Sequence, residues 1–587
     1  MQPLQVLEKY YGYDSFRPGQ AEIIDRVLQG QNTLAIMPTG GGKSLCYQIP
    51  ALILPGLTLV VSPLISLMKD QVDTLLQNGI EAAYLNSSLT GPEASDVYRR
   101  LENGQIKLLY VAPERFDSNY FWDTLNRLNI SLIAIDETHC ISQWGHDFRP
   151  QYLQLSQTLG NLVNQPPIIA LTATATPAVA QDICQRLAIK PQNQVTTGFS
   201  RDNLAFKVVK GVRDYDYLLN YLKQNPGQSG IIYAATRKKV EAIANYLNDH
   251  GQKVGFYHGG LSEAERKQNQ EDFLFDRTEV MVATNAFGMG IDKSSVRFVI
   301  HAQVPGSLEA YYQEAGRAGR DGLNSEAILL YHDADLQTQR FFIENSPADE
   351  AYKQEEYRKL EAMVHYANSQ DCLQAFIVHY FGQDCPDCGR CSSCLDEREE
   401  VDITVESQKI LSCAYRMRGR FGKKVIAQVL AGSKAKRIVE NDLQKLSTFG
   451  IMRQQQIKDI EVMIDYLLAS GYLINRDPQY PTPTVTAKGA QVLKGLEKVT
   501  QKTVKVTANR FVGSVLDTSL FERLRRKRRE LAEEQHVPPF VIFSDQTLQD
   551  LASQKPQSLR DMLNIKGIGE TKLNRYGQTF LEIILAN

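Results

Sequence analysis

Thr33-Leu-Ala-Ile-Met-Pro-Thr-Gly-Gly-Gly-Lys-Ser44 decides the fold of this chain. The apolar start reads as a buried strand. The turn after it fits the phosphate-binding pattern G-x-x-x-x-G-K-[ST], with Met37 in place of the first glycine. Consecutive glycines let the backbone curl until its N–H groups face phosphate oxygens, and the helix expected after Ser44 adds its positive end. In such a loop Thr39, Gly40, Gly41 and Gly42 cradle the phosphates, Lys43 reaches the β- and γ-phosphates, and Ser44 ligates Mg²⁺.

A strand–loop–helix unit of this kind belongs to a parallel α/β sheet, and the sequence repeats it outward. Leu57–Ser62, Leu108–Ala112, Ser131–Asp136 and Ile168–Thr172 read as further buried strands, separated by stretches of helical period. The pattern restarts with Gly230–Ala234, Val254–Tyr257, Val280–Ala283, Arg297–His301 and Ala327–Tyr331, so a second α/β domain follows, with a boundary near 200–212. After about residue 340 the strands give way to polar helices, with a hairpin expected around Pro478-Gln-Tyr-Pro-Thr-Pro483.

A length of 587 residues exceeds one hydrophobic core and suggests about four domains. No apolar run approaches the roughly 20 residues that span a bilayer, and the N-terminus lacks the basic and apolar regions of a secretory signal. A cytosolic, nucleoid-associated protein is expected. The net charge of −2 means that any nucleic-acid surface is local. Five of the nine cysteines crowd into 372–394, which fits one metal site in a reducing compartment better than a disulfide framework.

Two further motifs complement the loop. Asp136-Glu137 ends a strand expected to neighbour the loop's strand, where carboxylates can hold Mg²⁺ and Glu137 can polarise an attacking water. In Gln313-Glu-Ala-Gly-Arg-Ala-Gly-Arg320, Arg317 and Arg320 share a helix face, as an arginine finger reaching the γ-phosphate from a second domain requires.

Together these residues resemble superfamily 2 helicases, and specifically RecQ DNA helicases, over almost the whole chain. Tyr13-Asp-Ser-Phe-Arg-Pro-Gly-Gln20 resembles the family's motif 0, which implies that Gln20 reads the adenine edge while Tyr13 and Arg17 pack on the ring. Leu171-Thr-Ala-Thr-Ala-Thr176 resembles the coupling motif III. Ala283-Thr-Asn-Ala-Phe-Gly-Met-Gly-Ile-Asp292 resembles motif V and adds Gly290 and Asp292 to the nucleotide site. The segment ending in Arg320 resembles motif VI, with Arg320 the expected finger and Arg317 its helper. Ile141-Ser-Gln-Trp-Gly-His-Asp-Phe-Arg-Pro150 resembles the aromatic-rich loop; Trp144 and Phe148 can stack on bases, Arg149 adds charge, and His146 links the loop to the nucleotide site. One departure is Thr138, where the family's Asp-Glu-Ala-His box has alanine.

The C-x₂-C spacings of Cys385, Cys388, Cys391 and Cys394 suit tetrahedral zinc or an iron–sulfur cluster. The family pattern instead selects Cys372, Cys388, Cys391 and Cys394 and leaves Cys385 free. Residues 407–454 carry eleven Lys or Arg against two Asp or Glu, the local basic surface missing from the global count. They resemble the family's winged-helix domain, with Arg416, Arg418, Arg420, Lys423 and Lys424 the expected phosphate contacts. Residues 516–587 resemble an HRDC domain. In it Arg525-Arg-Lys-Arg-Arg529 either binds DNA or keeps a helix soluble, and Ile565-Lys-Gly-Ile-Gly569 is either a phosphate-binding or a packing turn.

The resemblance implies two tandem RecA-like, doubly wound parallel-sheet domains over 1–207 and 208–342. A helical zinc-binding subdomain over 343–402, a winged helix over 403–495, a linker over 496–515 and an all-helical HRDC domain over 516–587 follow. It implies an ATP-dependent DNA helicase of 3′–5′ polarity in repair, recombination or replication, using ATP, Mg²⁺ and Zn²⁺. Its implied partners are single-stranded and duplex DNA, forked or branched junctions, a single-strand-binding protein and a topoisomerase. The rival readings are an RNA helicase of the same superfamily and a strand-annealing protein with a regulatory ATP site.

Overall fold

In a computed structural model the chain folds around two separate parallel sheets. The described residues are all but 64, 143, 146–148, 163, 289–292, 503–517 and 587; the side chains of 65, 66, 150, 153, 156, 157, 161, 518 and 519 are also left aside. Strands β1 (Thr33–Ile36), β2 (Leu57–Val61), β3 (Ala82–Leu85), β4 (Leu108–Val111), β5 (Ile130–Ile135), β6 (Ile168–Thr172) and β7 (Gln194–Thr196) form the first sheet, in the order β3-β4-β2-β5-β6-β1-β7. Strands β8 (Leu204–Lys210), β9 (Gly230–Tyr233), β10 (Val254–Tyr257), β11 (Val280–Ala283), β12 (Phe298–His301) and β13 (Ser325–Tyr331) form the second, in the order β10-β11-β9-β12-β13-β8.

Both sheets are covered on both faces, which explains their unbroken apolar strands. Leu34 and Ile36 join one buried cluster and Ala35 and Met37 another, because successive side chains of a strand point to opposite faces.

Three expectations change. The strand before Asp136 does not neighbour the loop's strand: β6 lies between them, pairing with β5 through Ile133–Ile168 and with β1 through Thr33–Ile169. The division at 207/208 falls inside β8, which pairs with β13 from Leu204 to Lys210, so the second sheet begins before residue 208. Part of the expected linker is strand: Thr500–Lys502 pairs antiparallel with Glu400–Asp402 and ties the two ends of the winged helix together.

Beyond the sheets, the helices Glu350–Asn368 and Leu373–Tyr380 lead into the cysteine cluster. The winged helix has its own core, built from residues such as Ile410, Ile426 and Ile464, and its hairpin pairs Leu473–Asn475 with Pro483–Val485. The HRDC helices enclose Leu520, Leu524, Phe543 and Phe580. Among the described residues no helix is long and apolar enough to cross a membrane.

Candidate active site

The C-terminal ends of β1 and β5 and the helix Leu308–Ala315 converge on one cavity of about 480 Å³. Ligands of open α/β sheets bind at the carboxyl ends of the strands, so its place follows from the topology. The first domain lines it with Tyr13, Arg17, Gln20, Thr39, Gly40, Gly42, Lys43, Ser44, Asp136 and Glu137. The second lines it with Gln313, Arg317 and Arg320. Gly290 and Asp292 lie outside the described residues.

The loop is held from two sides. Gln20, almost fully buried, donates from Nε2 to the Gly42 carbonyl at 3.0 Å and accepts from the Arg17 N–H at 2.9 Å. Arg17 donates to the Gly40 carbonyl. From the other domain the Arg320 backbone approaches so closely that a Cβ on Gly40 would lie 3.2 Å from its Cα. Gly40 also holds a φ of +78°, so a side chain there would be both strained and crowded. A Cβ on Gly316 would lie 2.9 Å from Cβ of Thr39. The glycines of both motifs thus let two domains meet backbone to backbone at the cavity.

Asp136 and Glu137 line the same cavity. Glu137 takes a left-handed backbone, φ 47°, and its N–H donates to Asp136 Oδ1 at 2.9 Å. A non-glycine residue there carries strain of the kind kept at functional sites. Burial, then the charge of Glu137, pushes the Asp136 carboxyl up to about 7. A divalent cation is the partner that such a desolvated acidic pair favours. His139 lies 3.3 Å from Glu137 Oε2 and 3.1 Å from the Thr172 hydroxyl at the end of β6. It joins the acidic pair to the segment 171–176.

Thr138 points away from the cavity. Its hydroxyl donates to the Ile135 carbonyl at 2.7 Å and accepts from the Leu171 N–H at 2.9 Å, knitting β5 to β6. The substitution for alanine is a buried sheet contact.

One residue escaped the sequence reading. Arg201, nearly buried, donates to the Thr39 carbonyl of the loop and to the carbonyls of Ala318 at 3.1 Å and Gly319 at 2.9 Å. It spans the two domains beneath the cavity. The signal available was its position in the junction, 162 residues from Thr39.

The aromatic-rich loop is described in part. Trp144 is about half exposed, at 48%. It lines a second cavity of about 470 Å³ with Glu309, Lys359 and Tyr380. Lys359, on the long helix before the cysteines, donates to the Gly145 carbonyl at 3.3 Å. Arg149 donates to the Pro63 carbonyl at 3.2 Å. His146 and Phe148 lie outside the described residues.

The cysteines assemble as the family pattern requires. The sulfurs of Cys372, Cys388, Cys391 and Cys394 all lie within 4.8 Å of one another. The pairs Cys388–Cys394 and Cys372–Cys391 are 3.9 and 4.0 Å apart. A tetrahedral zinc with Zn–S near 2.3 Å needs sulfurs about 3.8 Å apart, so the set fits. Backbone N–H groups of Cys388 and Cys391 point at the Cys372 and Cys388 sulfurs, at 3.2 and 3.3 Å, and favour thiolates. Cys385 is half-buried and stays outside the set.

In the winged helix, Arg416, Arg418, Arg420 and Lys424 are exposed. Lys423 is not with them: its amine is bound to both oxygens of Asp465, at 2.8 and 2.7 Å. Here the lysine expected to contact phosphate is held in an ion pair, and its side chain is one-third exposed. In the HRDC domain Arg528 is buried against Asp545 at 2.8 Å, while Arg526 of the same run is exposed. The N–H of Gly567 donates to the Gly12 carbonyl at 3.2 Å, which makes its turn a packing turn.

Comparison with known proteins gives the same order of parts. Residues 17–183 match the DEAD/DEAH box helicase family, 213–322 the helicase conserved C-terminal domain, 333–395 the RecQ zinc-binding domain, 397–510 the RQC domain and 517–584 the HRDC domain. The chain is 50% identical to the ATP-dependent DNA helicase RecQ of Bacillus subtilis, over 99% of its length and 98% of the relative's. It is 42% identical to the proteins of that name in Pasteurella multocida and Haemophilus influenzae, over 99% of its length and 93% and 95% of theirs. A two-domain cleft over a phosphate loop, a four-thiol cluster, a winged helix and full-length identity at this level lead to one statement: the chain belongs to the RecQ family of ATP-dependent DNA helicases.

Proposed function

We propose that this enzyme unwinds duplex DNA in the 3′ to 5′ direction, driven by ATP held between its two motor domains. The observation that carries the reading is the single cavity lined by Lys43, Asp136 and Glu137 from one domain and Arg317 and Arg320 from the other. Lys43 binds the β- and γ-phosphates, with the backbone of Thr39, Gly40, Gly41 and Gly42 around them. Glu137 orients the attacking water. Arg320, aided by Arg317, stabilises charge on the transferred phosphoryl group. Gln20, Tyr13 and Arg17 select adenine, and Gly290 and Asp292 complete the site. Ser44 and Asp136 would hold Mg²⁺, which neutralises charge on the phosphate oxygens. Arginines that reach phosphate only when the cleft is closed make hydrolysis a switch between closed and open states.

Trp144 and Phe148 are assigned to stacking on the single strand, and Arg149 and His146 to further contacts with it. Arg416, Arg418, Arg420 and Lys424 grip duplex phosphates. Cys372, Cys388, Cys391 and Cys394 hold a structural zinc, since four thiolates leave no open position. Forked or branched junctions are the substrates that use both grips. A single-strand-binding protein and a topoisomerase are the partners suited to the displaced strand, in a cytoplasmic, nucleoid-associated setting. Unwinding of matched DNA and RNA forks tests the reading: ATP-dependent separation of the DNA fork alone is expected, and equal separation of both, or annealing without separation, contradicts it.

A further inference from the structure

The loop that carries Trp144 is held by a residue outside both motor domains. Lys359 lies on the helix Glu350–Asn368, which leads into the cysteine cluster, and its side chain is only 3% exposed. Burying an ammonium costs free energy unless polar groups replace its water. Two protein oxygens do so. Glu356, one turn back on the same helix, accepts at 2.8 Å, and the Gly145 carbonyl, 214 residues away, accepts at 3.3 Å. Gly145 follows Trp144 directly, and it is pressed from its other side too. A Cβ there would fall 2.3 Å from the His139 carbonyl oxygen and 3.1 Å from that of Ser142. The backbone beside Trp144 is therefore clamped between the turn after β5 and a buried cation. The indole itself stays half exposed, at the cavity that it lines with Lys359, Glu309 and Tyr380. On that cavity Glu309 is fixed in turn, accepting from the Tyr380 hydroxyl at 2.7 Å.

We propose that Lys359 is a positioning residue for single-strand binding: it fixes the Gly145 carbonyl so that Trp144 presents its ring to a base. This rests on the reading of Trp144 as a stacking residue. Ordering a loop at the moment of binding subtracts from affinity, so a ring held in place beforehand binds more tightly than a mobile one. Lys359 does not itself touch the strand, because its ammonium is buried and its partners are protein oxygens. Losing it therefore weakens single-strand binding without removing a phosphate contact.

Titration of the full chain with oligothymidylate tests this, using Lys359→Met, Gly145→Ala and the double variant. Lys359→Met keeps the length and the apolar stem but deletes the donor. Gly145→Ala displaces the same backbone from the His139 side. Each single variant should need about five- to tenfold more DNA for half-maximal ATPase, the lower end of what one stacked base contributes. The DNA-free rate and the rate at saturating DNA should stay within about twofold of wild type, as loss of binding alone requires. The double variant should be no weaker than the worse single one, because both act on one backbone position. In Lys359→Met the slope of log affinity against log salt should not change, whereas loss of a phosphate contact would reduce it by about 1. Trp122→Phe leaves Trp144 the one tryptophan, and its fluorescence anisotropy without DNA should fall when Lys359→Met is added. Wild-type activation by DNA in Lys359→Met, a parallel fall in the DNA-free rate, a reduced salt slope, unchanged anisotropy or multiplicative losses would each overturn the proposal. Trp144→Ala separates the two levels. If it loses activation by DNA while Lys359→Met does not, only the role of Lys359 fails; if it is activated as wild type, the stacking reading itself fails.

Discussion

The Arg201 guanidinium donates at once to the Thr39 carbonyl of the phosphate loop and to the Gly319 carbonyl of the second domain. It therefore sets how the loop and the two cavity arginines face each other. Burial lowers its pKa, yet it donates to three carbonyls, those of Thr39, Ala318 and Gly319. Arg201→Ala is expected to lower the DNA-stimulated ATPase kcat by about 10- to 100-fold through misalignment of the two walls. Arg201→Lys should not rescue it, because a single ammonium cannot reproduce the fork. Steady-state ATPase with a binding titration checks this; unchanged kcat would remove Arg201 from the account.

Thr138 yields a prediction of the opposite kind. Thr138→Val keeps the volume but leaves the Leu171 N–H without its acceptor inside the sheet. Denaturant unfolding should show a loss of about 1–3 kcal/mol, the cost of an unsatisfied buried donor. ATP hydrolysis below the melting range should stay within about twofold of wild type, because the side chain faces away from the cavity.

Zinc content separates the five clustered cysteines. Cys388→Ser should lower bound zinc well below one equivalent and destabilise the helices around the cluster, because structural zinc contributes folding energy directly. Cys385→Ser should retain the metal. Metal analysis after gel filtration reads both, and full zinc in Cys388→Ser would reject the ligand set.

Asp136 gives the pH dependence. Its folded pKa is raised from 3.8 to about 7 by burial and by Glu137, so the metal-free carboxyl is protonated below neutrality. A proton then competes with Mg²⁺. Apparent Mg²⁺ affinity in the ATPase should be flat above pH 7 and fall by up to about tenfold per unit below it. The same raised pKa favours the metal-free folded state at low pH, a contribution lost as pH rises through 7. A flat Mg²⁺ affinity between pH 5.5 and 8, a range of about 2.5 units, would contradict this.

The winged helix separates exposed from committed cations. Arg416→Ala and Arg420→Ala should each weaken duplex binding and reduce the slope of log affinity against log salt by about 1. Lys423→Ala should leave that slope unchanged and lower stability instead, because it removes the partner of nearly buried Asp465. Filter binding across a salt series decides between these outcomes.

Local chemistry was readable in the sequence. The phosphate loop, the acidic pair and the clustered cysteines each keep their residues within a few positions of one another. The family pattern brought in Cys372, thirteen positions before Cys385. Most strands were readable because both faces of each sheet are buried. The unread parts depend on distant partners or weak local signals. β3 is half alanine and β7 has three residues, two of them polar. Arg201 and Arg528 look like surface cations until the fold supplies Thr39, Gly319 and Asp545 around them.

The central claim is that ATP held between the two motor domains drives strand separation from a 3′ end. Unwinding of forked DNA with a single 3′ tail, compared with a single 5′ tail, measures it most directly. Wild-type enzyme should separate the 3′-tailed fork only with ATP and Mg²⁺, at least about tenfold faster than the 5′-tailed one. Lys43→Ala should bind both forks and separate neither. Equal rates on the two tails, or strand separation by Lys43→Ala, would contradict the account.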